Sequence, residues 1–173
     1  MTASAAAPMV LAVEDDPIIR ADLRLVLEDA GFEVAAANDG IEAVELAREH
    51  QPDAILLDLS LPRLGGVEVT RQILAERDVP IVALTGRSLE LAQEAIDAGA
   101  ASYVLKPFDA DEVVEAVRDA LAERRGARAL RGARDESRQA IAAMLTLCGY
   151  AETWAVELER RAFESGKIWR QLR

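Results

Sequence analysis

The chain has 173 residues, 51% apolar and 29% charged, a globular composition with room for one domain of ordinary size and a small extra piece. No apolar run approaches the ~20 residues of a membrane helix. A lone cysteine (Cys148) excludes an intrachain disulfide or a cysteine zinc site, and a lone histidine (His50) excludes a His-rich metal site, so a reducing cytoplasm is expected. Residues 1–123 carry 9 Lys and Arg against 25 Asp and Glu, a net −16, whereas residues 124–173 carry 11 against 6, a net +5, so two parts with different partners are expected.

Met1 to Pro8 has no positive charge ahead of its small residues, unlike a secretory signal. Met9 to Val13 is a short apolar run that stops at Glu14-Asp15-Asp16-Pro17, the pattern of a buried parallel strand followed by a helix with proline in its first turn. Ile19, Leu23, Val26 and Leu27 have helical spacing, and Gly31 closes that helix. Glu33 to Ala37 reads as a second strand, Asn38-Asp39-Gly40 as a turn, and Ile41 to Glu49 as a helix, with His50 at its end where a cation suits the dipole. Ala54 to Leu57 is the strongest buried strand and ends at Asp58. Gly65-Gly66 leads to a helix carrying Val67, Val69, Ile73 and Leu74. Pro80 opens the strand Ile81 to Leu84, which ends at Thr85. Leu89 to Ala98 is a helix closed by Gly99, and Tyr103 to Leu105 is a fifth strand ending at Lys106-Pro107. Asp109 starts a last helix with Val113, Val114, Val117 and Leu121 inward.

Five strands alternating with five helices predict an α/β fold, a doubly wound (βα)5 parallel five-stranded sheet. Glu14, Asp15, Asp58, Thr85 and Lys106 all fall at carboxyl ends of strands, the edge where open parallel sheets bind ligands. Three carboxylates converging there need a cation, and oxygen ligands favour Mg²⁺. An ammonium and a hydroxyl across the cleft suit an anion. The set fits phosphoryl transfer to a carboxylate, with Asp58 attacking and Lys106 and the metal neutralising the phosphoryl oxygens.

Val13-Glu14-Asp15-Asp16-Pro17, Leu56 to Pro62 with Gly65-Gly66, Ala83-Leu84-Thr85-Gly86, Ala98-Gly99-Ala100 and Tyr103 to Phe108 together resemble the receiver domain of bacterial two-component response regulators, over residues 9–124. The resemblance implies a flavodoxin-like receiver fold with Asp58 as phospho-acceptor and Thr85 and Lys106 as phosphoryl-binding groups. It also implies Mg²⁺ ligated by Asp15, Asp58 and the Ser60 backbone carbonyl, with Glu14 acting mostly through water and Asp16 peripheral. Thr85 and Tyr103 match the switch pair, Ser60 and Arg87 the positions that tune dephosphorylation, and Lys106-Pro107 a cis peptide. The implied partner is a sensor histidine kinase or histidine phosphotransfer protein, and the chain is expected to be a signalling phosphoprotein, not a turnover enzyme. Rival readings are weaker. A flavodoxin-like cofactor carrier needs a phosphate-cradling loop where Glu14-Asp15-Asp16 stands, and an aspartyl-phosphate phosphatase usually has a second Asp where Ser60 stands. A degenerate receiver would lack acceptor-site residues that are all present.

Arg124-Arg125-Gly126 and Gly132 suggest a hinge over 125–133, followed by a helical extension over 134–173. Within it, Arg134 to Leu147 and Ala151 to Phe163 have helical spacing, Ile168 to Leu172 follows Gly166, and Tyr150, Trp154, Phe163 and Trp169 supply apolar surface. Cys148 falls on an apolar face with Ile141, Met144 and Leu145. The extension reads as a partner-binding or homodimerising element driven by the face of the fourth helix, fifth strand and fifth helix. A weaker similarity, through Ala142 to Leu145, Gly149 to Glu152 and Leu158 to Phe163, is to the ANTAR family of RNA-binding antiterminators, which implies RNA as the alternative partner.

Overall fold

A computed structural model of the chain describes residues 7–86 and 89–147. Five short strands form one parallel sheet: β1 (Met9–Val13), β2 (Glu33–Ala37), β3 (Ala54–Asp58), β4 (Ile81–Thr85) and β5 (Ser102–Leu105), in the order β2-β1-β3-β4-β5. They alternate with α1 (Pro17–Asp29), α2 (Gly40–His50), α3 (Gly66–Glu76), α4 (Leu89–Asp97) and α5 (Ala110–Leu147). β3 and β4 are buried along their whole length because helices cover both faces, which explains their unbroken apolar runs.

Side-chain alternation sorts the core into two faces. Val10, Ala12, Leu56, Val82, Leu84 and Val104 point to one side and pack against Leu23 and Leu27 of α1 and Val113 and Val117 of α5. Leu11, Val13, Ile55, Leu57 and Ile81 point to the other and meet Ala43, Val44 and Ala47 of α2 with Val69 and Ile73 of α3. A smaller group, Leu59, Val67, Ala83, Ala95 and Ala100, carries α4. Truncating any one of the large central side chains to Ala is expected to cost ~2–5 kcal/mol.

The helix ends follow their local chemistry. The Asp16 carboxylate accepts from the Ile18 and Ile19 amides at 2.8 and 3.2 Å and so caps α1. Gly31 leaves α1 at φ +90°, a left-handed conformation that favours glycine. His50 is the last residue of α2, in the turn where a basic side chain suits the dipole.

The sheet order reverses between β1 and β3: the chain leaves β1 toward β2 on one side and returns to β3 on the other. Such a reversal opens a crevice at the carboxyl ends of the two strands. Glu14 and Asp15 follow β1, and Asp58 ends β3.

Residues 125–133, expected as a hinge, fall within the helical span of α5, Ala110 to Leu147. A helix-interior glycine costs only about 1 kcal/mol relative to alanine, and Gly126 and Gly132 are flanked by Ala, Arg and Leu, all strong helix formers. The chain divides into two units with a boundary after Arg125. Arg87, Cys148 and the expected helices over 151–163 and 168–172, with Tyr150, Trp154, Phe163 and Trp169, lie outside the described residues.

Candidate functional site

The carboxyl edge of the sheet gathers five side chains from four strand ends. Glu14 and Asp58 are 1% and 3% exposed and Thr85 is completely buried, whereas Asp15 is exposed. The Lys106 ammonium, carried just past β5, donates to Glu14 Oε2 at 2.6 Å and to Asp58 Oδ2 at 2.7 Å. Burial pushes the Glu14 carboxyl above the ordinary carboxylate range and the Asp58 charge adds to this, while the Lys106 hydrogen bond pulls the other way without cancelling it. Burial works against the Lys106 ammonium, but its hydrogen bonds to Asp58 and Glu14 prevail and hold it above its ordinary value.

The remaining oxygen of the Asp58 carboxylate is also held. The Ser60 amide donates to Asp58 Oδ1 at 2.9 Å, so both Asp58 oxygens are oriented, one by backbone and one by Lys106. The loop that carries Ser60 is pinned at Gly66. A Cβ there would stand 2.4 Å from the Asp58 carbonyl oxygen and 2.7 Å from Leu59 Cα, so glycine is required for the close approach. Gly65, which reads identically in the sequence, has nothing within 4 Å of a Cβ. The Lys106 amide donates to the Thr85 carbonyl at 2.7 Å, which ties the ends of β4 and β5 together, and Lys106-Pro107 is cis.

One carboxylate oxygen from each of Glu14, Asp15 and Asp58 lies within 4.8 Å of the others. Three acidic oxygens that close, two of them buried, form a donor set suited to a hard divalent cation. The Asp16 carboxylate caps α1 and is not one of the three clustered acids.

Two groups escaped sequence reasoning. The Arg20 guanidinium donates to the backbone carbonyls of Glu14 at 2.7 Å and Asp15 at 3.1 Å, bracing the loop that presents both acids. Its signal was an arginine near the N-terminus of α1, where a cation opposes the helix dipole and needs another reason to be there. Arg63 pairs with the buried Asp39 carboxylate, which also caps α2 by accepting from the Ile41 and Glu42 amides. Arg63 has φ +65°, so the β3–α3 loop is held in a conformation unusual for a long side chain. Tyr103, on β5, is 44% exposed.

The family profile of the response regulator receiver domain matches residues 10–118. The chain belongs to that family. The response regulators that resemble this receiver include the Mycobacterium tuberculosis transcriptional regulatory protein PdtaR, 41% identical over 75% of this chain and 65% of PdtaR. The Mycobacterium leprae response regulator MprA is 43% identical over 63% of this chain and 49% of its own. The match thus spans about half to two thirds of the length of these curated relatives. Among solved structures, the receiver domain of the Pseudomonas aeruginosa sensor histidine kinase PA1611 has a TM-score of 0.63 and 36% identity, covering 68% of this chain and 99% of that one; it holds a magnesium ion in its active-site cleft. A LuxR-family two-component response regulator from Aurantimonas sp. has a TM-score of 0.64 and 37% identity, covering 68% and 86%. The receiver fold and its place among two-component response regulators therefore agree with the sequence reading. No helix among the described residues is long and apolar enough to cross a membrane.

Proposed function

We propose that this receiver accepts a phosphoryl group on Asp58 from a histidine kinase or histidine phosphotransfer protein, and that the acylphosphate switches its protein associations. The observation that supports this most is the Lys106 ammonium bridging the buried Glu14 and Asp58 carboxylates at 2.6 and 2.7 Å, with Thr85 at the neighbouring strand end. In the reaction, an Asp58 carboxylate oxygen attacks the phosphorus of the partner's phosphoimidazole. The O–P bond forms as the P–N bond breaks, and the imidazole nitrogen leaves with the bonding pair and takes a solvent proton. A carboxylate nucleophile needs no general base. Mg²⁺ held by Glu14, Asp15, Asp58 and the Ser60 carbonyl would neutralise charge on the transferring group.

Lys106 starts on Asp58 and is within reach of the oxygens that arrive, so it reports the new charge by changing partners. Thr85 offers its hydroxyl to the same group, and Tyr103, exposed in this state, is the aromatic that repacks when Thr85 moves. The phosphoryl group acts as a lasting signal and the chain is not a turnover enzyme. Arg87, two beyond Thr85 in the chain, matches a position that tunes dephosphorylation in the family, so Arg87→Ala is expected to lose the phosphate faster. Output passes through the α4-β5-α5 face to a protein partner.

The test is incubation with acetyl phosphate in the presence and absence of Mg²⁺, read by intact-protein mass spectrometry. One phosphate is expected, dependent on Mg²⁺ and absent in Asp58→Ala. Undiminished labelling of Asp58→Ala overturns the proposal.

A further inference from the structure

Of the three clustered acids, two carboxylates are held directly. Glu14 Oε2 and Asp58 Oδ2 receive the Lys106 ammonium, and Asp58 Oδ1 receives the Ser60 amide. The Asp15 carboxylate is exposed and receives no hydrogen bond among the described residues. Its place beside the other two is therefore set by its backbone.

No backbone amide among the described residues donates to the Glu14 or Asp15 carbonyl. Both accept instead from Arg20, the half-buried fourth residue of α1. One nitrogen, Nη1, donates to Glu14 at 2.7 Å and to Asp15 at 3.1 Å. These carbonyls belong to the two peptide groups that flank the Asp15 Cα. Each peptide group is planar, so orienting both restrains the two dihedrals between them and with them the direction of the Asp15 Cα–Cβ bond. The loop that carries Ser60 has backbone ties of its own: the Leu59 amide donates to the Leu84 carbonyl at 2.9 Å and the Gly66 amide to the Leu59 carbonyl at 3.1 Å.

The charge of Arg20 works against this benefit. A guanidinium in the first turn of α1 opposes the helix dipole, and beside the acidic cluster it repels an arriving cation. Coulomb's law alone therefore predicts tighter cation binding when Arg20 is removed, whereas loss of orientation predicts weaker binding. The two divalent cations also differ in what they ask of a site. Mg²⁺ demands near-ideal octahedral geometry at ~2.0–2.1 Å, whereas Ca²⁺ accepts flexible geometry at ~2.3–2.6 Å. A loosened Asp15 penalises Mg²⁺ more.

We infer that Arg20 is a positioning residue for divalent-cation binding and favours Mg²⁺ over Ca²⁺, by holding the peptide groups that aim Asp15 at Glu14 and Asp58. The inference deepens the acceptor reading and rests on it for the use made of the cation, but cation binding itself is measured without a phosphoryl donor.

The isotopically labelled full chain is titrated with MgCl2 and separately with CaCl2 at constant ionic strength, and the amide NMR signals of Glu14, Asp15 and Asp58 report binding. Arg20→Met keeps the apolar stem and removes the donors. Arg20→Gln, polar at this half-buried position but too short to span both carbonyls, is the second variant should the first fail to fold. Loss of the brace is expected to weaken Mg²⁺ binding by about tenfold. Ca²⁺ binding should weaken by less than about threefold. Arg24→Met, one turn further along α1, removes an equal charge that pairs with Glu28 at 2.7 Å, and should change either affinity by less than about twofold. In EDTA, the amides of Glu14 to Asp16 should exchange with solvent faster in Arg20→Met than in wild type, while those of α3 keep the wild-type rate, which separates a loosened loop from general loss of stability.

Mg²⁺ binding that is unchanged or tightened in Arg20→Met overturns the inference, because the guanidinium then acts on the cation through its charge alone. Equal losses for Mg²⁺ and Ca²⁺ also overturn it, as does a loss in Arg24→Met that matches the loss in Arg20→Met. Acetyl phosphate with saturating Mg²⁺ tests the acceptor reading separately. A wild-type chain that stays unlabelled, with the cation affinities ordered as expected, refutes that reading and leaves the role of Arg20 standing.

Discussion

Replacing Lys106 with Met removes the ammonium that joins two buried carboxylates and keeps most of its apolar stem. Glu14 and Asp58 are then left 1% and 3% exposed beside one another, without the cation now 2.6 and 2.7 Å away. Breaking a buried pair costs ~3–5 kcal/mol. The Lys106 side chain is 21% exposed and is itself desolvated, so the expected loss is smaller, about 2–3 kcal/mol at pH 7 without divalent metal. For a unit of this size that lowers Tm by roughly 6–12 °C. The assay is thermal unfolding followed by far-UV circular dichroism, in EDTA and in saturating MgCl2. Because Mg²⁺ supplies the missing positive charge, it should raise the Tm of Lys106→Met more than that of wild type.

The same substitution has a defined pH dependence. The folded-state pKa of Glu14 is raised above the ordinary 4.5, so the folded protein binds more protons than the unfolded chain between that value and the raised one. Glu14 therefore costs stability that is absent below about pH 4.5 and grows as pH rises through the folded pKa. Losing Lys106 removes the strongest influence that lowers it, so the window widens and the deficit of the variant should shrink as pH falls through it. Lys106 has the opposite bearing on wild type: its raised pKa contributes stability that is full below 10.5 and lost as pH rises through the folded value. A variant as stable as wild type in EDTA at pH 7, or an equal Mg²⁺ gain in both proteins, would refute this account of the site.

Gly66→Ala should cost ~1–3 kcal/mol in urea unfolding and slow labelling of Asp58, because its Cβ must displace the Asp58 carbonyl; Gly65→Ala, with open space, should do neither. Arg63→Ala should be less stable than Arg63→Gly by about 1 kcal/mol, since both lose the Asp39 pair but only alanine keeps the strain of φ +65°. If the two unfold alike, the left-handed backbone is not what the loop resists. Asp16→Ala should lower stability by ~1 kcal/mol through loss of the α1 cap while leaving Mg²⁺ affinity by calorimetry unchanged. A large loss of Mg²⁺ affinity would place Asp16 among the ligands.

The elements of the receiver were legible because burial leaves a period in the sequence. A strand covered on both faces must be apolar throughout, so Ala54 to Leu57 announced β3, and the first polar residue after it, Asp58, marked the strand's end. The same reasoning located Glu14, Thr85 and Lys106, each the first polar group beyond an apolar run or at its last position. Glycine is a statistical stop signal, yet Gly126 and Gly132 fall within the span of α5, where the strong helix formers around them outweigh its cost.

What periodicity cannot encode is which distant side chains touch. Lys106 meets Glu14 across 92 positions and Asp58 across 48, contacts that exist because the sheet order sets β1, β3, β4 and β5 side by side. The Arg20 brace and the Arg63–Asp39 pair belong to the same class: each depends on how one loop lies against another. Gly65 and Gly66 are the plainest case. Adjacent in the chain and identical in chemistry, they differ only in that α3 begins against the Asp58 carbonyl, a proximity set by the fold of the loop. The sequence by itself thus determined which residues are buried and where each strand stops. The tertiary structure decided which charges neutralise one another, because Coulomb and steric terms depend on distances through space that no local pattern records.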